Sequence, residues 1–335
     1  MLVNVGKLMS HTSTKGGGGV KHPFNPSLVD AWFMSGPSNS DKPSSITGVK
    51  GNDLALKNFA YALNSGFGKY EVDFNSWAKN PNVANFTNSD SVIHLTEILV
   101  GGGAFISVPI DTITPSFKVK IEGMENNTVR YVSYAEDGTR TYTHLKNGIN
   151  NLPISYKKYT GFIVTPIGAC NITITQLPSA YEGALVFDGV DDYGICTGLP
   201  ILDDYTVICR RVLENNTKNV VASKSVVAGN GAFIFEYGNN ATYSFNEYTS
   251  GLAVNLKDSV SYQTKNSYNG STITVGNADD TNTLTLGIIR EGDSRLLKGA
   301  IYYFALYNKS LTPEEVEEEK VKLENYWEGG KNELA

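Results

Sequence analysis

The chain has 335 residues, 41% of them hydrophobic and 19% charged, with a formal net charge of −6. That length fits two domains, and the interspersed, net acidic charge excludes nucleic acid as a direct ligand, because phosphate neutralisation needs a basic stripe. Thirty-three Gly, 12 Pro and 19 Tyr point to short strands separated by frequent turns.

Residues 1–26 read as an arm. Short apolar pieces (Leu2, Val3, Val5, Leu8) precede Gly16–Gly19, a run that loses much conformational freedom on ordering. Two readings stand: the arm is disordered, or its apolar strip docks on a neighbour. The first ten residues lack the ~7–15-residue apolar run of a signal peptide, and no stretch reaches the ~18 apolar residues of a membrane span. The expectation is a soluble product made in a cytoplasm without an export signal.

Residues 27–68 carry an extended start at Ser27–Trp32, a Gly/Pro/Asn/Asp-rich loop over 36–43 and a strand over Asp53–Phe59. Residues 69–180 read as a separate all-β unit. Its predicted strands are Phe105–Ile110, Phe117–Ile121, Val129–Ala135, Thr139–Leu145, Gly161–Pro166 and Cys170–Leu177. Phe117-Lys-Val-Lys-Ile121 alternates apolar with basic, so one face is buried and one wet. Glu136-Asp-Gly138 fits a hairpin turn.

Strands resume over 181–310. Phe233–Phe245 reads as a hairpin with a Gly-Asn-Asn turn, and Asn269-Gly270 between Tyr268 and Ser271–Val275 is a strong short hairpin signal. Gly299–Tyr307 is nearly continuous and apolar, as in the depth of a sandwich. Thr312-Pro-Glu-Glu315 is a capping box with Pro at the first helical position. Val316, Leu323 and Trp327 then recur on one face, and the helix is expected to close the sandwich edge. The charge run Glu314–Lys320 reads as its solvated face.

Chemistry-bearing residues are sparse. Cys170, Cys196 and Cys209 are odd in number and lack paired metal-ligand spacing, so buried free thiols are preferred to a disulfide framework. Glu71-Val-Asp73 places two carboxylates near each other, but hydrolysis of glycosidic bonds needs a convergent pair ~5–9.5 Å apart, and Asn75 stands where alternation would bring a third inward carboxylate. Asp188, Asp191 and Asp192 are candidate oxygen donors for Ca²⁺; a plain turn after the Phe187 strand is the competing reading, and no other cofactor is implied. The histidines (His11, His22, His94, His144) are scattered, with no hydrolase or zinc pattern. Tyr243, Tyr248, Tyr262 and Tyr268, near Asn240, Asn246 and Asn266, form a candidate carbohydrate-binding rim. Strand packing with wet hydroxyls is the alternative at each position.

Several outer segments, taken in order, resemble the laminin-G-like, concanavalin-A-like jelly-roll superfamily. They are Ser27–Trp32, Gly183-Ala-Leu-Val-Phe-Asp-Gly-Val-Asp-Asp-Tyr-Gly194, Tyr268-Asn-Gly270 with Leu284-Thr-Leu-Gly287, and the closing run from Lys298 to Val316. Together they cover about half the chain. The Trp-containing start, an insert ending in Ile174-Thr-Gln-Leu-Pro178 and the restart Glu182–Gly189 are also similar to structural proteins of Bacteroides-infecting phages and prophages. The resemblance implies an all-β fold: a discontinuous jelly roll over 27–68 and 181–328, an inserted β-sandwich over 69–180 and a short C-terminal helix. It further implies a non-enzymatic virion protein of head- or tail-fibre type. Such a protein docks on other virion proteins through Leu2, Val3, Val5 and Leu8, touches a host-surface glycan, and is a homo-oligomer, a trimer by analogy with fibres. A bacterial cell-surface glycan-binding protein and a glycan depolymerase are the rival readings; neither nucleic acid nor membrane is an expected partner.

Overall fold

The computed structural model describes residues 23–332, apart from 40, 102, 179, 215–218, 226–230, 239–240, 246 and 280. The expected docking residues Leu2, Val3, Val5 and Leu8, and Asn240 and Asn246 of the expected rim, lie outside the described residues. Among the described residues the protein is all-β: four antiparallel sheets and one C-terminal α-helix, Pro313–Asn332.

Two of the sheets are built from strands before residue 70 and after residue 179. The first centres on Lys298–Tyr307, which pairs on one side with Thr206–Leu213. Its other side is shared end to end by Leu28–Phe33 and Ala180–Asp188. The second runs in the order Ser45–Thr47, Asp53–Lys57, Tyr193–Cys196, Leu284–Leu286, Val220–Lys224, Phe233–Tyr237, Ala241–Ser244, Glu247–Ser250. Trp32, Phe304 and Leu306 of the first sheet meet Leu54, Phe235 and Leu286 of the second in one core.

The helix corrects one expectation. It covers the outer face of the first sheet instead of closing an edge: Val316, Leu323 and Trp327 pack on Ala300, Tyr303, Ala305 and Tyr307. This explains why Lys298–Tyr307 is apolar at nearly every position. Successive side chains point to opposite faces, and here one face meets the second sheet while the other lies under the helix. The capping box forms as the sequence predicts, Thr312 N–H donating to Glu315 Oε2 at 2.9 Å and Glu315 N–H to Thr312 Oγ1 at 3.2 Å. The described end of the expected arm also belongs to this layer. Phe24 is buried beside Phe33 and Tyr326, and Asn25 N–H donates to Glu319 Oε2 at 3.1 Å.

The remaining two sheets lie between residues 78 and 177. One runs Arg140–His144, Thr128–Tyr134, Gly161–Thr165, Ile106–Ser107, Ala78–Lys79; the other Gly148–Leu152, Phe117–Glu122, Gly168–Leu177, Val92–Ile98, Ala84–Asn88. Their core is separate from the first and rich in rings, with Phe162 within 6.0 Å of Phe74, Trp77 and Tyr131. The chain leaves along Gly66–Lys69 and returns beside it along Ala180–Asp188, with Lys69 opposite Ala180. Gln176, 1% exposed, binds the junction: its Oε1 accepts from Glu71 N–H and Val72 N–H, both at 3.0 Å, and its Nε2 donates to Val72 O at 2.7 Å.

The strand expected over Phe105–Ile110 is confined to Ile106–Ser107, and that over Ser271–Val275 to Ser271–Thr272. After Thr272 the chain crosses between sheets, where Thr274 N–H reaches Thr249 Oγ1 and Gly276 N–H reaches Ser244 O. Asn269 and Gly270 take left-handed φ of 46° and 82°, the pairing a two-residue hairpin of matching twist requires. All three cysteines are free thiols, Cys196 and Cys209 buried and Cys170 half-buried. Burial pushes the Cys196 thiol up to about 11 and Cys209 well above its ordinary value. Among the described residues no helix is long and apolar enough to cross a membrane.

Candidate functional site

Three of the aromatic residues of the second sheet converge on its outward face. Tyr243 stands directly opposite Tyr248 across the edge hairpin, and their ring centroids are 4.9 Å apart. Tyr237 joins them, 6.0 Å from Tyr243. The Arg295 guanidinium lies over the Tyr237 ring at 5.6 Å and is oriented by Asp293, whose Oδ1 accepts from its Nε at 2.7 Å. Asp293 is thereby held below the usual carboxylate range, mainly by the Arg295 hydrogen bond. Tyr237 and Tyr243 are half-buried and Tyr248 is 47% exposed. All three side chains keep some solvent access, most of it at Tyr248.

A bulge makes this arrangement. Strict alternation from Phe233 would send Glu236 outward and Tyr237 inward. The register slips between Ile234 and Tyr237, and Glu236 takes a φ of 53°. A bulge residue in the left-handed region re-aims its own side chain and the next one along the strand. Here Glu236 turns into the core and Tyr237 turns out. Inside, the Glu236 carboxylate accepts from Arg211 Nε at 2.6 Å, from Arg211 Nη2 at 2.5 Å and from Tyr268 Oη at 2.8 Å. Arg211 and Glu236 are each 0% exposed, and Ser259 and Ser261 accept further bonds from the guanidinium. The pair spans the two sheets, from Thr206–Leu213 to Phe233–Tyr237.

Two of the four expected rim tyrosines therefore belong elsewhere. Tyr268 is 3% exposed and serves the buried Arg211–Glu236 network. Burial and the neighbouring Glu236 carboxylate push its phenol far above its ordinary range. Tyr262 sits on the helix-covered sheet, its ring 4.8 Å from Lys320 Nζ. Asn266 is exposed and closes its own turn, accepting from Thr264 Oγ1 at 3.1 Å. Tyr237 and Arg295 were not anticipated, because only the bulge and a distant loop bring them to the rings of Tyr243 and Tyr248.

Asp188, Asp191 and Asp192 do come together, with one carboxylate oxygen from each within 4.8 Å of the others. Their hydrogen bonds account for the cluster. Asp188 Oδ1 accepts from Val190 N–H at 2.7 Å, closing a turn. Asp192, 1% exposed, accepts from Asp188 N–H and Ser65 Oγ, both at 3.0 Å. Both Asp192 oxygens are committed to donors, so the set fits a turn better than a cation cage that needs 6–8 free oxygens. Burial, followed by the like charges of Asp188 and Asp191, pushes the Asp192 carboxyl up to about 7. The other acidic pair is also structural in part: Asp73 Oδ1 caps a short 3₁₀ turn by accepting from Asn75 N–H at 2.8 Å.

No family model and no curated protein matches this chain. Among solved structures, a Trypanosoma rangeli sialidase in complex with the inhibitor DANA aligns with 81% of this chain and 67% of its own, at 9% identity and a TM-score of 0.26. The CBM22-1–CBM22-2 tandem of Paenibacillus barcinonensis Xyn10C aligns with 77% of this chain and 95% of its own, at 10% identity and a TM-score of 0.16. Likenesses this slight carry no argument about function.

Proposed function

We propose that this chain is a non-enzymatic adhesive component of a phage virion, of head- or tail-fibre type, and that the Tyr237–Tyr243–Tyr248 face binds host-surface glycan. The observation that carries the adhesive part is the solvent-reached set of three rings on one sheet face, steadied by Arg295 and Asp293. The apolar face of a pyranose stacks on such rings, and the phenol and guanidinium groups hydrogen-bond its hydroxyls. The virion setting is supported by the resemblance of the Trp-containing start at 27–32, the insert end at 174–178 and the restart at 182–189 to phage structural proteins.

The test is a glycan array probed with the intact chain and with Tyr243→Ala/Tyr248→Ala. A set of glycans bound by the parent and lost at least tenfold by the variant is expected. Equal binding by both proteins, or no glycan bound at all, refutes the glycan role. Mass spectrometry of purified particles tests the virion setting, and absence of the chain from them overturns it. Incubation with the bound glycan should release no reducing ends; release abolished by one acidic substitution would make the protein a depolymerase.

A further inference from the structure

The inserted sandwich carries a second, chemically different surface. Residues directly opposite across antiparallel strands share a face. The pairings Ala78 with Ser107, Ser107 with Gly161, Gly161 with Val132 and Val132 with Tyr142 therefore lay one row of side chains across all five strands of a sheet. Four members of that row are small. Gly161 is fixed by close packing: a Cβ there would stand 2.1 Å from Ile106 O. Three members of the row, Ala78, Ser107 and Val132, line a groove of about 480 Å³ together with Tyr134, Arg140, Tyr159, Lys79 and Asn80. A recess of this size matches the ~300–1,000 Å³ of small-ligand clefts.

The groove's surroundings are cationic in a chain whose net charge is −6. Arg130 and Arg140 flank the Tyr142 ring at 5.2 and 4.6 Å from its centroid, and Lys158 Nζ lies 5.4 Å from that of Tyr159. Tyr142 is 41% and Tyr159 58% exposed. Among the described residues, the one salt bridge within the insert joins Lys120 to Glu122 on the opposite sheet. Lys79, Arg130, Arg140 and Lys158 thus carry charge that no carboxylate neutralises within salt-bridge distance. Of the nearby acids, Asp137 accepts from Thr139 N–H and faces Lys157, Asp111 accepts from Lys158 N–H, and Glu136 stands exposed in the hairpin turn without a salt bridge among the described residues. Cations stacked on exposed rings, here the exposed Arg140 and the half-buried Arg130 and Lys158, are held in place at little entropic cost.

We infer that this groove is a binding site for an acidic polysaccharide, one whose pyranose rings carry carboxylates. The ring faces of Tyr134 and Tyr159 suit the sugar, the small floor admits it, and Arg140 offers a fork of donors to the carboxylate. A polynucleotide is disfavoured, because the cations form a short cluster and not a stripe along which successive phosphates could lie. The site is independent of the Tyr243 face, where the cation among the described residues, Arg295, is paired with Asp293.

The experiment is isothermal titration of the intact chain with oligogalacturonate, neutral dextran oligomers and single-stranded oligonucleotide of matched length. Oligogalacturonate should bind, weaken steeply with added salt, and lose at least tenfold in affinity in Arg140→Ala/Tyr159→Ala. It should bind Tyr243→Ala/Tyr248→Ala as it binds the parent. Both Tyr159 and Arg140 are exposed, so the variant keeps its core, and an unchanged melting curve verifies this. Dextran binding equal to oligogalacturonate, tighter binding of the oligonucleotide, loss only in Tyr243→Ala/Tyr248→Ala, or no oligogalacturonate binding at millimolar concentration each overturns the assignment.

Discussion

Glu236→Gln is the sharpest test of how the second sheet is anchored. The substitution keeps the side-chain volume and removes the charge. In the parent the carboxylate takes three donors, two from Arg211 and one from Tyr268. After substitution the guanidinium remains 0% exposed with only hydroxyl and carbonyl partners. An uncompensated buried charge of this kind costs about 3–5 kcal/mol, whereas replacing both partners by apolar residues is often near neutral. Here the double replacement Arg211→Met/Glu236→Leu takes one partner from the Tyr268, Ser259 and Ser261 hydroxyls, but Ser259 keeps Lys257 O and Tyr268 and Ser261 can bond each other, so about 1–2 kcal/mol is expected for it. Urea unfolding of parent, single and double variants reads these numbers directly. The expected order is unusual: the double variant is more stable than the single Glu236→Gln. A loss under about 1 kcal/mol for Glu236→Gln, or a double variant no more stable than Glu236→Gln, refutes the reasoning.

Asp192 gives a pH signature. Its carboxyl is raised to about 7 in the folded protein, so the folded state holds a proton that the unfolded chain releases near pH 4. The stabilisation from that proton is full below pH ~4 and is lost as pH rises through about 7. Asp192→Asn can still accept from Asp188 N–H and can donate to Ser65 Oγ. Relative to the parent it should gain about 2 kcal/mol in urea unfolding between pH 5 and pH 8, allowing for partial solvent access; a pH-independent difference contradicts the shift. Gln176→Leu removes the side chain that binds residues 71 and 72 and leaves two N–H groups without their acceptor. A loss of about 1–3 kcal/mol is expected, with proteolytic nicking moved to residues 69–72; unchanged nicking argues against the clamp. Trp327→Ala empties the pocket under the helix, where the indole donates to Gly183 O at 2.8 Å and lies 4.4 Å from the Arg210 guanidinium. About 3–5 kcal/mol should be lost in urea unfolding, and a change below about 1 kcal/mol would mean that the helix is not integral to the sandwich.

What could be read from the sequence was local. The Thr312–Glu315 box, the Asn269-Gly270 turn and the alternation through Phe117–Ile121 and Cys170–Leu177 each depend on a few neighbouring residues, and the structure contains them all. What could not be read depends on pairing across long separations. The helix lies on a face because the first sheet is apolar on both sides, a property shared by several strands. Tyr268 looks like a rim residue from its hairpin, and becomes a core residue only because Arg211 and Glu236 meet beneath it. Tyr237 faces outward through a one-residue bulge that a sequence repeat of two does not reveal. The groove floor collects Ala78, Ser107 and Val132 from three strands, and no window of the sequence holds more than one of them.

The strand Lys298–Tyr307 carries on a single edge both Leu28–Phe33, where the sandwich begins, and Ala180–Asp188, where the chain returns from the insert. The backbone makes a second link between the N-terminal end and the inserted sandwich, passing through Ser45–Thr47 and Asp53–Lys57 of the second sheet before it enters the insert along Gly66–Lys69. Lys298–Tyr307 is pinned by Thr206–Leu213 on its far side and by the helix on its outer face. A pull on the strand by which the chain returns from the insert therefore loads the same ladder partner that holds the first strand of the sandwich.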